Sequence, residues 1–163
     1  MPRQPFPRSL RDPRRSLNFL DSCAFDPKCS PEREASTKLR QLSDDGVIVL
    51  NLAHSNQKEV EHQNTPAQVK REAVDLNYSI ETSLTSAEVA QRVAIHAILT
   101  GNGTPAKFAA DAAHVFEAGK YHGYFVTMDE RILKKKSDLE RICAAVIVKP
   151  SELLEILHRT SST

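Results

Sequence analysis

A chain of 163 residues, 40% apolar and 26% charged, has the length and balance of one globular domain around a single core, and none of its apolar runs reaches the roughly 18 residues that a membrane-spanning helix requires. Its three cysteines, Cys23, Cys29 and Cys143, are odd in number and match no zinc spacing, which argues against a disulfide framework; with an N-terminus lacking the apolar stretch of a secretory signal, this predicts a cytoplasmic protein with reduced thiols. The net charge of +1 hides an asymmetry: residues 1–15 hold five Arg against one Asp, a surplus of four, which leaves the remainder at −3.

Those arginines, interleaved with prolines, predict a disordered basic arm over residues 1–15, followed by one folded domain over residues 16–163. SLNFLDS (16–22) and GVIVLNLA (46–53) have the apolar, partly β-branched character of buried strands. Between them, Ser30-Pro31 opens a helix running to about Asp44 and stopped by Gly46, with proline in the first turn, where its missing N–H is tolerated. Thr65-Pro66-Ala67-Gln68 is a capping box leading into a helix through VKREAVDLNYSIETSL, and Thr85-Ser86-Ala87-Glu88 is another, whose helix ends near Gly101 or Gly103. Thr104-Pro105 opens a further helix, which carries Asp111 and stops at Gly119. YFVTMD (124–129) and AAVIV (144–148) supply two more buried strands. This alternation predicts an α/β three-layer sandwich with a central, mainly parallel sheet of four to five strands flanked by helices.

In such sheets the carboxyl ends of the strands hold the ligand site. Asp21 follows LNFL and Asp129 follows YFVTM, so both stand where their strands leave the sheet. Glu59 and Glu61 come a few residues after VIVLNLA. Asp111 falls on the shoulder of a helical stripe made by Phe108, Ala112, Val115 and Phe116, at the edge of a surface the chain buries. Converging carboxylates repel one another without a cation, and an oxygen-only, highly charged ligand set suits Mg²⁺ or Mn²⁺. Each acid taken alone also has a plainer reading: Asp21 and Asp129 as caps or turn formers, Asp111 as the partner of Lys107, and Glu59 or Glu61 as a solvated helix face.

SLNFLDSCAFDP, AHSNQKEVEH and, above all, DAAHVFEAGKYHGYFVTMDERIL together resemble the PIN domain, a family of metal-dependent ribonucleases that includes toxins of bacterial toxin-antitoxin pairs. The likeness spans roughly residues 16–158, with IVKPSELLEIL resembling the closing strand and helix. It implies an acidic quartet of Asp21, Glu59, Asp111 and Asp129 that binds one or two Mg²⁺ or Mn²⁺ ions and hydrolyses RNA phosphodiester bonds, with Glu61 the alternative to Glu59. It also implies supporting roles for Ser22, beside the first acid, and Thr127, before the last, and it raises an antitoxin protein and a homodimer as partners.

Arg131, Lys134 and Lys135, in the basic run RILKKK, stand close after Asp129 and are candidate RNA contacts, although a solvated helix face explains them nearly as well. His114 is placed on the polar side of its helix and His122 in the turn KYHGY, both as structural histidines, while His54 and His62 lack a third ligand at a zinc spacing. The competing function is a catalytically inactive PIN-like module that binds RNA or protein, with the acids serving as caps.

Overall fold

The structure is a computed structural model and describes residues 11–52, 77–78 and 84–161. Five strands form one all-parallel sheet: β1 (Leu17–Leu20), β2 (Val49–Leu52), β3 (Asn77–Tyr78), β4 (Tyr124–Val126) and β5 (Val146–Val148), in the spatial order β3-β2-β1-β4-β5. Phe19 of β1 lies opposite Asn51 of β2 on one side and Phe125 of β4 on the other, and Phe125 in turn lies opposite Ile147 of β5. From β1 the chain builds outward through β2 to β3, then crosses back to lay β4 and β5 on the other flank. The order therefore reverses at the β1–β4 seam, the place where sheets of this type open a crevice at their carboxyl ends.

Six α-helices are described: α1 (Glu32–Asp44), α2 (Ser86–Thr100), α3 (Ala109–Lys120), α4 (Glu130–Leu133), α5 (Lys136–Ile142) and α6 (Pro150–Ser161). Successive residues of a strand point to opposite faces, so β1, β4 and β5 each feed two cores. Leu20, Tyr124, Val126 and Val148 pack with Leu39 of α1 and Leu153, Ile156 and Leu157 of α6. Phe19, Phe125 and Ile147 pack on the other face with Leu99 of α2, Val115 and Phe116 of α3 and Leu139 of α5. This is the expected three-layer sandwich, and predominantly apolar strands, with Asn18 and Asn51 as buried polar members, are what burial on both faces requires. Among the described residues no helix is long and apolar enough to cross a membrane.

The helix punctuation is realised in detail. At the start of α2, the Glu88 N–H donates to Thr85 Oγ1 at 3.2 Å while the Thr85 N–H donates to Glu88 Oε1 at 3.0 Å, the reciprocal pair of a capping box. Gly46 and Gly101, just beyond α1 and α2, take φ values of +73° and +49°, a region that disfavours residues with a Cβ. At Thr104-Pro105 the chain first makes a 3₁₀ turn over Pro105–Phe108, so α3 proper starts only at Ala109. Glu32, buried at the start of α1, accepts from the Ser151 N–H at 2.9 Å and from Ser151 Oγ at 2.5 Å, fastening the openings of α1 and α6 together.

Two expectations are corrected. Asn77 and Tyr78, assigned to the helix opened by Thr65-Pro66, instead pair in parallel with Asn51 and Leu52, because the outer edge of β2 offers them unpaired backbone groups; the rest of that helix lies outside the described residues. Residues 11–15, assigned to the arm, are fixed to the domain. Asp12 caps a 3₁₀ turn over Pro13–Arg15, Arg14 donates to the Leu157 carbonyl at 3.3 Å near the end of α6, and Tyr124 Oη donates to the Arg11 carbonyl at 2.5 Å. A guanidinium in the last turn of a helix meets the negative end of the dipole, so the segment closes α6 and flanks the entry ends of β1 and β4.

Gly123 is what lets β4 lie so close to β1: a Cβ there would stand 2.5 Å from the Leu17 carbonyl oxygen and 2.9 Å from Phe19 Cε2. Neither neighbour can yield without shifting β1. Gly123→Ala should therefore lower the unfolding free energy by about 1–3 kcal/mol in a urea titration, the usual cost of overpacking; an unchanged midpoint would show that the β1–β4 seam has slack.

Candidate active site

The β1–β4 seam continues past the ends of both strands. The Asp21 N–H donates to the Val126 carbonyl at 2.9 Å, and the Thr127 N–H donates to the Val148 carbonyl at 3.0 Å, so the two residues leave the sheet side by side. Thr127, fully buried, then ties the ends together: its hydroxyl donates to Asp21 Oδ2 at 2.7 Å and accepts from the Asp129 N–H at 3.0 Å. Cys23 Sγ donates to the same Asp21 oxygen at 3.3 Å. Asp21 stands before a 3₁₀ turn over Ser22–Ala24 but makes no side-chain cap to it, so its carboxylate is free of that structural duty.

Asp129 does serve as a cap: its Oδ1 accepts from the Arg131 N–H at 2.9 Å at the start of α4. The Arg131 side chain folds back on the same carboxylate, with Nε 3.1 Å from Oδ1 and Nη2 2.6 Å from Oδ2. Nη2 also lies 3.2 Å from Oδ2 of Asp111, in the first turn of α3, and the guanidinium carbon is 5.4 Å from the Phe108 ring centroid. His114, one turn further along α3, places Nδ1 3.7 Å from Asp21 Oδ1. Three carboxylates from three parts of the chain thus share one locality, joined by a threonine and an arginine.

Burial sets the electrostatics. It raises the proton affinity of Asp21, against the lowering effect of the Thr127 and Cys23 hydrogen bonds and with a further push from the charge of Asp129. It does the same at Asp111, opposed chiefly by Arg131 and reinforced by Asp129 and Asp21. At Asp129 the upward push of burial is outweighed by the hydrogen bonds and charge of Arg131, which leave the carboxyl below its ordinary range. Arg131 is held protonated still more firmly than usual, first by its hydrogen bond to Asp129. Although part of Cys23 is open to solvent, its sulfur turns inward, and burial together with the Asp21 carboxylate pushes the thiol up to about 12.

The donors are hard oxygens of the class that Mg²⁺ and Mn²⁺ take, and the buried Asp111 Oδ2 receives the charge of Arg131 but no hydrogen bond among the described residues. As the side chains stand, however, no three His, Cys, Asp or Glu groups among the described residues could hold a metal ion together. The chemistry of the set fits a dication, while the arrangement is closed on a guanidinium.

Of the other predicted groups, Thr127 lies between the first and last acids as described, and Ser22 is half-buried beside Asp21. Glu59, Glu61, His54 and His62 lie outside the described residues. Lys134 is exposed at the end of α4 and Lys135 is half-buried before α5. Lys107 does not pair with Asp111; its Nζ lies 5.9 Å from the Phe108 ring centroid. His122 is exposed in a turn at the entry end of β4, away from the acids. The polar-side placement of His114 is corrected: it is fully buried, because α3 is packed against both the sheet and α2 and has hardly any polar side in that turn. The signal was present in the flanking residues Ala112, Ala113, Val115 and Phe116, which surround the histidine with apolar groups.

No family model matches this chain, and neither a curated protein nor a solved structure matches it.

A raised folded-state proton affinity means that the fold loses stability as pH climbs from the ordinary carboxylate range toward the shifted one. In EDTA, Asp111→Asn should therefore melt together with the unsubstituted protein below about pH 3, where the carboxyl is mostly neutral in both states. Toward neutral pH it should melt higher; a variant that melts lower there would show that Arg131 stabilises the ionised form more than burial penalises it.

Proposed function

We propose that the protein is a Mg²⁺- or Mn²⁺-dependent endoribonuclease of PIN-like type. The observation that carries this reading is the gathering of Asp21, Asp111 and Asp129 at the carboxyl ends of β1 and β4, at the point where the strand order reverses. Buried carboxylates that resist ionisation are costly to keep in a fold, and such groups concentrate at functional sites.

Asp21, Asp111 and Asp129, with Glu59 as the fourth acid, are the residues that would hold the ion. A bound dication supplies the acidification of a water nucleophile and the neutralisation of phosphate charge. Thr127 fixes the orientation of Asp21 and couples it to the backbone of Asp129. Asp111, with one oxygen lacking a hydrogen bond and a raised proton affinity, is suited to take a proton from the attacking water. Lys134 and Lys135 follow the site in sequence and offer positive charge to RNA phosphates, which a body at −3 otherwise repels. A toxin role, an antitoxin partner, a homodimer and a cytoplasmic location belong to this proposal through the resemblance and the sequence composition alone.

A second reading is favoured by one observation. Arg131 already neutralises Asp129 with a two-point fork, as in a module whose acids serve structure only. The two readings part experimentally. Single-stranded RNA incubated with the protein and Mn²⁺ should be cleaved, cleavage should stop in EDTA, and Asp111→Asn and Asp129→Asn should each lose about a hundredfold or more in rate while keeping the far-ultraviolet spectrum of the parent. Cleavage that persists in EDTA, or in both variants, refutes the nuclease; absence of cleavage together with absence of Mn²⁺ binding by calorimetry establishes the silent module.

A further inference from the structure

We infer that Arg131 is a built-in latch: its guanidinium occupies the carboxylate oxygens that a divalent cation would need, so that ion entry and release of this side chain are one coupled event. The inference rests on reading the acidic cluster as a metal site, and it accounts for why suitable donors stand there without forming a cage.

The geometry is specific. Nε and Nη2 contact both oxygens of Asp129, and Nη2 also lies 3.2 Å from Asp111 Oδ2, so one planar cation bridges two of the three acids. A dication drawing on those oxygens competes with the guanidinium for the same negative charge. The latch is built to move. The Arg131 side chain keeps 44% of its surface exposed, against 13% for Asp111 and 16% for Asp129, so it can turn into solvent without opening the core. Asp129 need not follow it, because the Arg131 backbone N–H holds Oδ1 at 2.9 Å whether or not the side chain is docked. Asp21 is likewise held by Thr127 independently of the arginine. Asp21 and Asp129 therefore keep their hydrogen bonds when the guanidinium leaves, and Asp111 is the acid whose side chain is released with it. Stacking against Phe108 gives the closed state its definition.

If the binding-competent state is the one with the arginine released, the apparent ion affinity of the parent is reduced by the fraction of molecules that are open. The test is titration of the full chain with Mn²⁺, followed by the electron paramagnetic resonance of the free ion, for the parent, Arg131→Gln and Arg131→Lys. Arg141→Gln serves as a control, since that exposed arginine pairs with Asp138 on α5. The expected result is binding tightened by about tenfold or more in Arg131→Gln, by less in Arg131→Lys, and by nothing in the control. A second readout needs no ion: in EDTA, Arg131→Gln should melt below the parent, having left Asp111 and Asp129 without their cation. Should Arg131→Gln fail to fold, Arg131→Lys decides alone, with affinity equal to or weaker than that of the parent overturning the latch. Equal Mn²⁺ affinity across the parent and both Arg131 variants sinks the latch and leaves the metal site standing; no binding in any of them sinks both.

Discussion

Parallel pairing of β1 with β4 is the constraint on which the rest of this molecule depends. The two strands are about a hundred residues apart in the chain, yet their register decides which side chains emerge together at the far edge of the sheet. Because the ladder runs one step beyond the strands, through the Asp21 N–H to Val126, Asp21 and Thr127 leave the sheet in hydrogen-bonding reach of each other. Gly123 permits the approach at one end, and Thr127 exploits it at the other. Slippage by one residue would turn these groups into the packed faces and bring apolar ones to the rim.

Two opposing effects meet in the cluster. Burial disfavours negative charge at Asp21 and Asp111, whereas Arg131 favours it at Asp129 and, less strongly, at Asp111. A single guanidinium cannot serve three acids equally: it forks onto Asp129, touches Asp111 at one oxygen and leaves Asp21 to neutral donors. Asp21 and Asp111 are in consequence the acids with most to gain from additional positive charge. That residual demand, more than the count of acidic residues, separates this locality from an ordinary surface patch, where solvent would satisfy each group at small cost.

How much of this the sequence disclosed depended on the kind of signal involved. β1, β2, β4 and β5 were legible because strands buried on both faces must be apolar almost throughout, and α2 was legible because a capping box is a local device spanning four residues. β3 was not, since Asn77 and Tyr78 are a strand only by virtue of the edge they join. The meeting of Asp21, Asp111 and Asp129 followed from the strand-end rule and helical periodicity. The hold of Arg131 on two of them did not, because it requires the turn at Asp129 to aim a side chain backward across to another helix. Arg14 misled in the same way: its partners Leu157 and Thr160 lie 143 and 146 residues distant, so composition alone placed it in a loose arm.

The three thiols are sorted by their surroundings. Cys143 is buried, and Cys23, although partly open, keeps its sulfur protonated and turned toward Asp21 and Thr127. The thiolate is the nucleophile that attacks an alkylating reagent, so neither is a ready target, whereas Cys29 is exposed in the stretch leading to α1. A maleimide dye or nitroxide should consequently settle on Cys29, giving a spectroscopic handle just before α1 with no substitution in the acidic cluster.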